Sequence, residues 1–115
     1  MMIVRKLKQD EVALITWMIK NTVEGPNIIR ELDKISVEEM DDGGMGSLKV
    51  VVNGEDRRIY SRDLAKADLW DMDKVPLFLS VNLDTDGNFF ELDIFKADNS
   101  PLKKFPKVPD NLDNP

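Results

Sequence analysis

At 115 residues, with 42% hydrophobic and 33% charged residues and a formal net charge of −6, the chain has the make-up of one folded acidic domain. It contains neither cysteine nor histidine, which excludes disulfides, thiol nucleophiles, Ser-His-Asp and Cys-His catalysis, and histidine-based metal sites. No apolar run reaches the ~18 residues that a membrane helix needs, and Met1 to Lys6 lack the apolar core of a secretory signal, so a cytoplasmic protein is expected.

Lys8 to Thr22 carries Val12, Ile15, Met18 and Ile19 at helical spacing, with Leu14 widening the stripe. Asp10 and Glu11 suit the positive end of that helix dipole. Trp17 lies off the main apolar arc. Gly25-Pro26-Asn27 stops the helix, and Ile28 to Leu32 reads as a short helical turn or a buried connector.

From Ile35 the period shortens towards two. Ile35–Met40 and Ser47–Val52 read as strands around the glycine-rich turn Asp41-Asp42-Gly43-Gly44-Met45-Gly46. Asn53-Gly54 is a hairpin signal, which makes Arg57–Ser61 a return strand and gives a meander of three. Leu64 to Leu69 suits a short helix, and Trp70-Asp71-Met72-Asp73 an irregular crossover. Val75–Leu83 and Phe89–Phe95 alternate on either side of Asp84-Thr85-Asp86-Gly87-Asn88, a second hairpin. From about residue 101 the chain is proline-rich and extended, with Pro101, Pro106, Pro109 and Pro115. The sum is a single α+β domain over residues 1–115. In it an N-terminal amphipathic helix packs on an antiparallel sheet of about five strands.

The candidate chemistry is carboxylate chemistry. The glycine-rich turn invites a phosphate-loop reading, but no Lys-Ser or Lys-Thr follows it and two aspartates precede it, so it reads as a turn needing positive φ. Asp84 to Asn88 resembles the opening of a calcium loop, yet the twelfth position falls on Phe95, which has no oxygen to offer. Neither a metal nor a cofactor is expected. Glu91 and Asp93 alternate on one strand and share a face with Phe89 and Phe95. A contact from there to Lys96 or an arginine is the expectation. A carboxylate-based or cation-dependent enzyme that uses Asp84, Asp86, Glu91 and Asp93 is left open as the alternative, on carboxylate spacing alone; no catalytic residue is expected on the main reading. An exposed strand edge leaves open a self-associating module.

Three stretches together resemble a bacterial family of small uncharacterised domains. They are Arg5-Lys6-Leu7, Met40-Asp41-Asp42-Gly43-Gly44-Met45-Gly46-Ser47-Leu48, and Leu83 to Gly87 continuing through Phe90-Glu91-Leu92-Asp93-Ile94-Phe95-Lys96-Ala97-Asp98 to Ser100-Pro101-Leu102. The chain departs from the pattern at Phe95, where the family has Trp, and near Asn99, where it has an aromatic. Small acidic proteins of this kind look like immunity proteins of bacterial toxin systems, including contact-dependent growth inhibition. The resemblance thus implies a non-catalytic protein that binds and neutralises a cognate toxin.

Charge agrees with a basic protein partner. Residues 31–100 hold 17 acidic groups against eight basic, a field that attracts basic proteins and repels nucleic acid. The expected partner-binding residues are Asp68, Trp70, Asp71 and Asp73, with Asp41 and Asp42 nearby. Aspartates around an aromatic anchor combine fast encounter with buried contact, unless Trp70 simply caps the core.

Overall fold

A computed structural model describes residues 3–52 and 56–109. The chain runs β1 (Val4–Lys6), α1 (Gln9–Ile19), α2 (Gly25–Glu31), β2 (Ser36–Glu39), β3 (Leu48–Val51), β4 (Tyr60–Trp70), β5 (Pro76–Asp84) and β6 (Phe89–Lys96). The strands form one sheet in the order β1-β2-β3-β6-β5-β4, with every neighbouring pair antiparallel.

Helix α1 forms where its spacing predicts. Leu14, Ile15 and Ile19 are fully buried and Met18 nearly so. Burying each such side chain contributes about 1.5–3 kcal/mol. They meet Leu77, Leu79, Val81, Leu92 and Ile94 of the central strands, with Val37, Leu48 and Val50 beside them. Trp17 is half-buried and packs against the same core. At the helix start, Glu11 accepts a hydrogen bond from the Lys8 amide at 2.7 Å, and the Arg5 guanidinium grips both of its oxygens at 2.8 Å. Burial works against the Glu11 charge, but the Arg5 contact and the Lys8 amide outweigh it and hold the carboxyl below its usual range. Arg5 also reaches Glu39 at 3.0 Å, so one side chain ties β1 to α1 and β2.

Gly25 begins a second helix. A Cβ there would sit 1.8 Å from the Ile19 carbonyl oxygen, so only glycine lets α2 turn back this closely on the end of α1. Pro26 follows in the first turn, where a missing N–H costs nothing.

The sheet differs from the expected one in three ways. Among the described residues it has six strands, close to the expected five or so; the addition is the short edge strand Val4-Arg5-Lys6, which carries no alternation that could announce it. The expected meander stops at two strands, β2 and β3, and the next neighbour of β3 is β6. The Asn53-Gly54 signal lies outside the described residues. Residues 60–70, read as the end of a return strand followed by a helix and a crossover, form one 11-residue strand along the far side of β5. Ala65, Ala67 and Leu69 point from it to the core side, and the pairing with β5 overrides their helical preference. The hairpin at Asp84–Asn88 is as expected. Gly87 takes φ of 81°, and Asp84 Oδ1 accepts from the amides of Asp86 and Asn88 at 2.9 and 3.0 Å.

Residues 101–109 contain no helix or strand, and they are tethered. Leu102 and Phe105 pack against the core, and the Leu102 amide donates to the Gly44 carbonyl at 3.0 Å.

Candidate functional site

The buried residues Leu14, Ile15, Met18 and Ile19 of α1, with the partly buried Ile28 and Ile29 of α2, share the core with Leu77, Leu79, Val81, Leu92 and Ile94 on one face of the sheet. The alternating residues face the other way, and among the described residues no helix covers them, although Asn82 is itself buried. On that open face Phe78 stands opposite Phe95, Ser80 opposite Asp93 and Asn82 opposite Glu91. Across β4 the same rows continue with Asp68, Lys66 and Asp63.

Two aromatic rings dominate one end. Phe78 and Phe95 stack at 6.5 Å between centroids, 18° from parallel, and each remains 46% exposed. Trp70, at the end of β4, is 68% exposed, and Met72 in the turn after it is 70% exposed. A row of exposed aromatic surface with Asp68 and Asp93 in its midst is unlike an ordinary solvated sheet face, where large apolar groups occur singly.

The other end is a partly buried acid pair. Glu91 and Asp93 are neighbours on one face, and the Asn82 amide nitrogen donates to Asp93 Oδ2 at 2.7 Å. Burial and the adjoining Asp93 charge push Glu91 up to about 7, against the partial relief of Lys49 and Arg58. Burial also raises Asp93, against the bonds that Glu91 and Asn82 supply. Of the two expected partners, Lys96 or an arginine, it is an arginine, Arg58, whose charge acts on Glu91, with Lys49 beside it; the pleat sends Lys96 to the opposite face, where it meets Asp71. The expected grouping with Phe89 also changes. A bulge between Asn82 and Leu83 makes Phe90 the extra residue. Phe89 then joins the core, while the Phe90 ring lies under Arg58 at 5.1 Å and Lys49 at 5.6 Å.

The residues expected to bind a partner separate into exposed and structural ones. Asp68 and Trp70 are exposed on β4, and Asp41 is exposed beside the glycine-rich turn. Asp71 is a correction: it lies buried rather than on a surface crossover. Its carboxylate accepts from Lys96 Nζ and the Lys103 amide at 2.7 Å each on Oδ2, and from the amides of Met72 and Lys104 on Oδ1. Burial opposes that charge, but the Lys103 amide, the Lys96 ammonium and the other two amides hold its pKa down to about 2. Asp73 is partly exposed and completes the cluster, 2.7 Å from the same ammonium. Lys96, fully buried, gives its remaining proton to the Pro101 carbonyl at 3.2 Å. Asp42 is structural too: its two oxygens accept from the amides of Met45 and Ser47 at 3.0 Å, and Gly43, Gly44 and Gly46 all take positive φ to allow it.

On the helical side a cavity of about 490 Å³ opens between α2 and the ends of β3 and β6, lined by Ile28, Leu32, Val50, Phe89, Arg58 and Asp84. Arg58 and Asp84 approach to 3.9 Å there. Among the described residues, no three acidic side chains are grouped to hold a metal ion. Among the described residues no helix is long and apolar enough to cross a membrane.

Residues 4–106 match the family described as "Domain of unknown function (DUF6984)". The chain belongs to that family. No curated protein and no solved structure matches it. The family match covers every strand and both helices, and it ends just past Phe105, the last aromatic that packs on the core. The open face and the Lys96 cluster both lie within the DUF6984 domain.

Sequence reasoning missed Phe78 and Phe95 as site residues. Their alternation was legible, but the absence of a covering element on their side was not.

Proposed function

We propose that the chain is a non-catalytic cytosolic protein that captures a basic protein partner on the open face of its sheet, as an immunity protein captures and neutralises a cognate toxin. The observation that carries this reading is the exposed Phe78–Phe95 stack set among the carboxylates of Asp68, Asp93 and Glu91. Aromatic anchors supply contact energy at the centre of an interface, while surrounding charges set encounter rate and choice of partner. The surplus of acid over residues 31–100 gives that choice a sign, since toxins that attack nucleic acid are commonly basic.

The experiment is co-expression with the product of a neighbouring toxin gene, followed by co-purification and a growth-rescue assay. A complex that rescues growth, and that weakens when Phe78 and Phe95 are both changed to alanine, supports the reading. Failure to form any complex or to rescue growth would remove it. A complex untouched by the double change would move the interface off this face.

A further inference from the structure

The two edges of the sheet differ. β1 closes one with three residues, too short to template another chain. β4 closes the other with 11, and among the described residues Ala65–Trp70 form backbone pairs with β5 alone. Bulges interrupt β4 at Tyr60/Arg62 and Asp63/Ala65, but from Ala65 to Trp70 its register is continuous and contains no proline. Bulges and prolines protect an edge against a second strand, and this stretch has neither; its charges, Lys66 and Asp68, protect it only against a strand that does not oppose them with the opposite sign.

We infer that β4 is a self-association edge, and that a second copy of this chain pairs with it antiparallel about Ala67. The register follows from charge. A two-fold axis perpendicular to the sheet sets residues of one face against residues of the same face, so Lys66 and Asp68 meet each other only about Ala67; an axis through Leu69 sets Asp68 against Trp70 and gives Lys66 no opposite charge. An axis through Lys66 sets lysine against lysine, and one through Asp68 sets aspartate against aspartate. An axis through Ala67 sets Lys66 against Asp68 twice, and both are exposed. On the helical side the same register opposes Ala65 to Leu69 and Ala67 to its own copy. These side chains are half-buried and small enough at the axis to let the two edges approach. The result is one continuous sheet whose open faces lie side by side. The inference is independent of which partner that face takes.

Sedimentation equilibrium of the full chain, from micromolar to hundreds of micromolar, tests it. The expected result is a monomer–dimer equilibrium. Lys66→Asp, which sets aspartate against Asp68 twice, should weaken the dimer by about tenfold. Exchanging both residues, Lys66→Asp with Asp68→Lys, should restore it. Thermal melts of each variant at low concentration separate loss of pairing from loss of fold. A monomer at every concentration overturns the inference. So does a dimer that ignores Lys66→Asp, or one that the exchange fails to restore.

Discussion

Lys96 Nζ lies 2.7 Å from Asp71 Oδ2, and both side chains are wholly buried. The pair joins three parts of the chain that are remote in sequence: the β4–β5 turn, the end of β6 and, through the amides of Lys103 and Lys104, the C-terminal segment. The Lys96 amide also meets the Met45 sulfur at 3.2 Å, which adds the glycine-rich turn to the same cluster. The motif running from Glu91 through Lys96 to Pro101 is therefore, over its second half, a fastening.

Asp71→Asn should remove the charge and leave the Lys96 ammonium short of a buried counter-ion, with a loss of about 3 kcal/mol or more of stability. Urea denaturation at neutral pH measures it. Because the Asp71 pKa falls on folding, its contribution is fully present above the ordinary aspartate range and is lost as pH falls through about 2. The parent should lose stability over that interval more steeply than the variant. A variant within experimental error of the parent would mean that the pair merely breaks even with its desolvation.

Glu91 has the opposite sign. Its pKa rises on folding to about 7, so the folded state holds a proton that the unfolded chain has released. Stability should fall as pH rises from about 5 to about 8, by on the order of 1 kcal/mol after solvent screening. Glu91→Gln should flatten that slope. The direct measurement is a carboxyl titration followed by NMR, and a midpoint in the normal glutamate range would contradict the burial of the pair.

Gly25→Ala places a methyl group 1.8 Å from the Ile19 carbonyl oxygen, and backbone cannot yield as a flexible side chain can. A loss of about 3 kcal/mol or more is expected, read as a lowered melting temperature. Gly87→Ala is the comparison. Its Cβ meets nothing within 4 Å, and only the φ of 81° opposes it, so a cost of about 1 kcal/mol is expected.

Asp68→Lys should leave stability nearly unchanged, since the side chain is exposed on β4. It should slow association with a basic partner, and the difference from the parent should shrink as salt rises. Stopped-flow association at two salt concentrations measures both effects. Equal rates at low salt would place the partner away from this edge of the open face.

The sequence by itself determined α1, β2, β3, β5 and β6, because each carries its own apolar period: 3.6 along Val12, Ile15, Met18 and Ile19, and two along Leu77, Leu79, Val81 and Leu83. It also determined the two turns that glycine marks, at Gly43–Gly46 and Gly87, since positive φ is a property of the residue. Tertiary structure alone decided the rest. Ala65 to Leu69 became a strand because β5 had an edge to offer, and local preference for a helix is weaker than a row of paired amides. Asp71 and Asp73, which look like a solvated acidic patch, became the counter-ions of a buried lysine that is 23 residues from the nearer of them. Phe78 and Phe95 became a surface because both helices pack on the other face. Charge and alternation are written locally, but which side of a sheet is covered is settled only where distant segments meet.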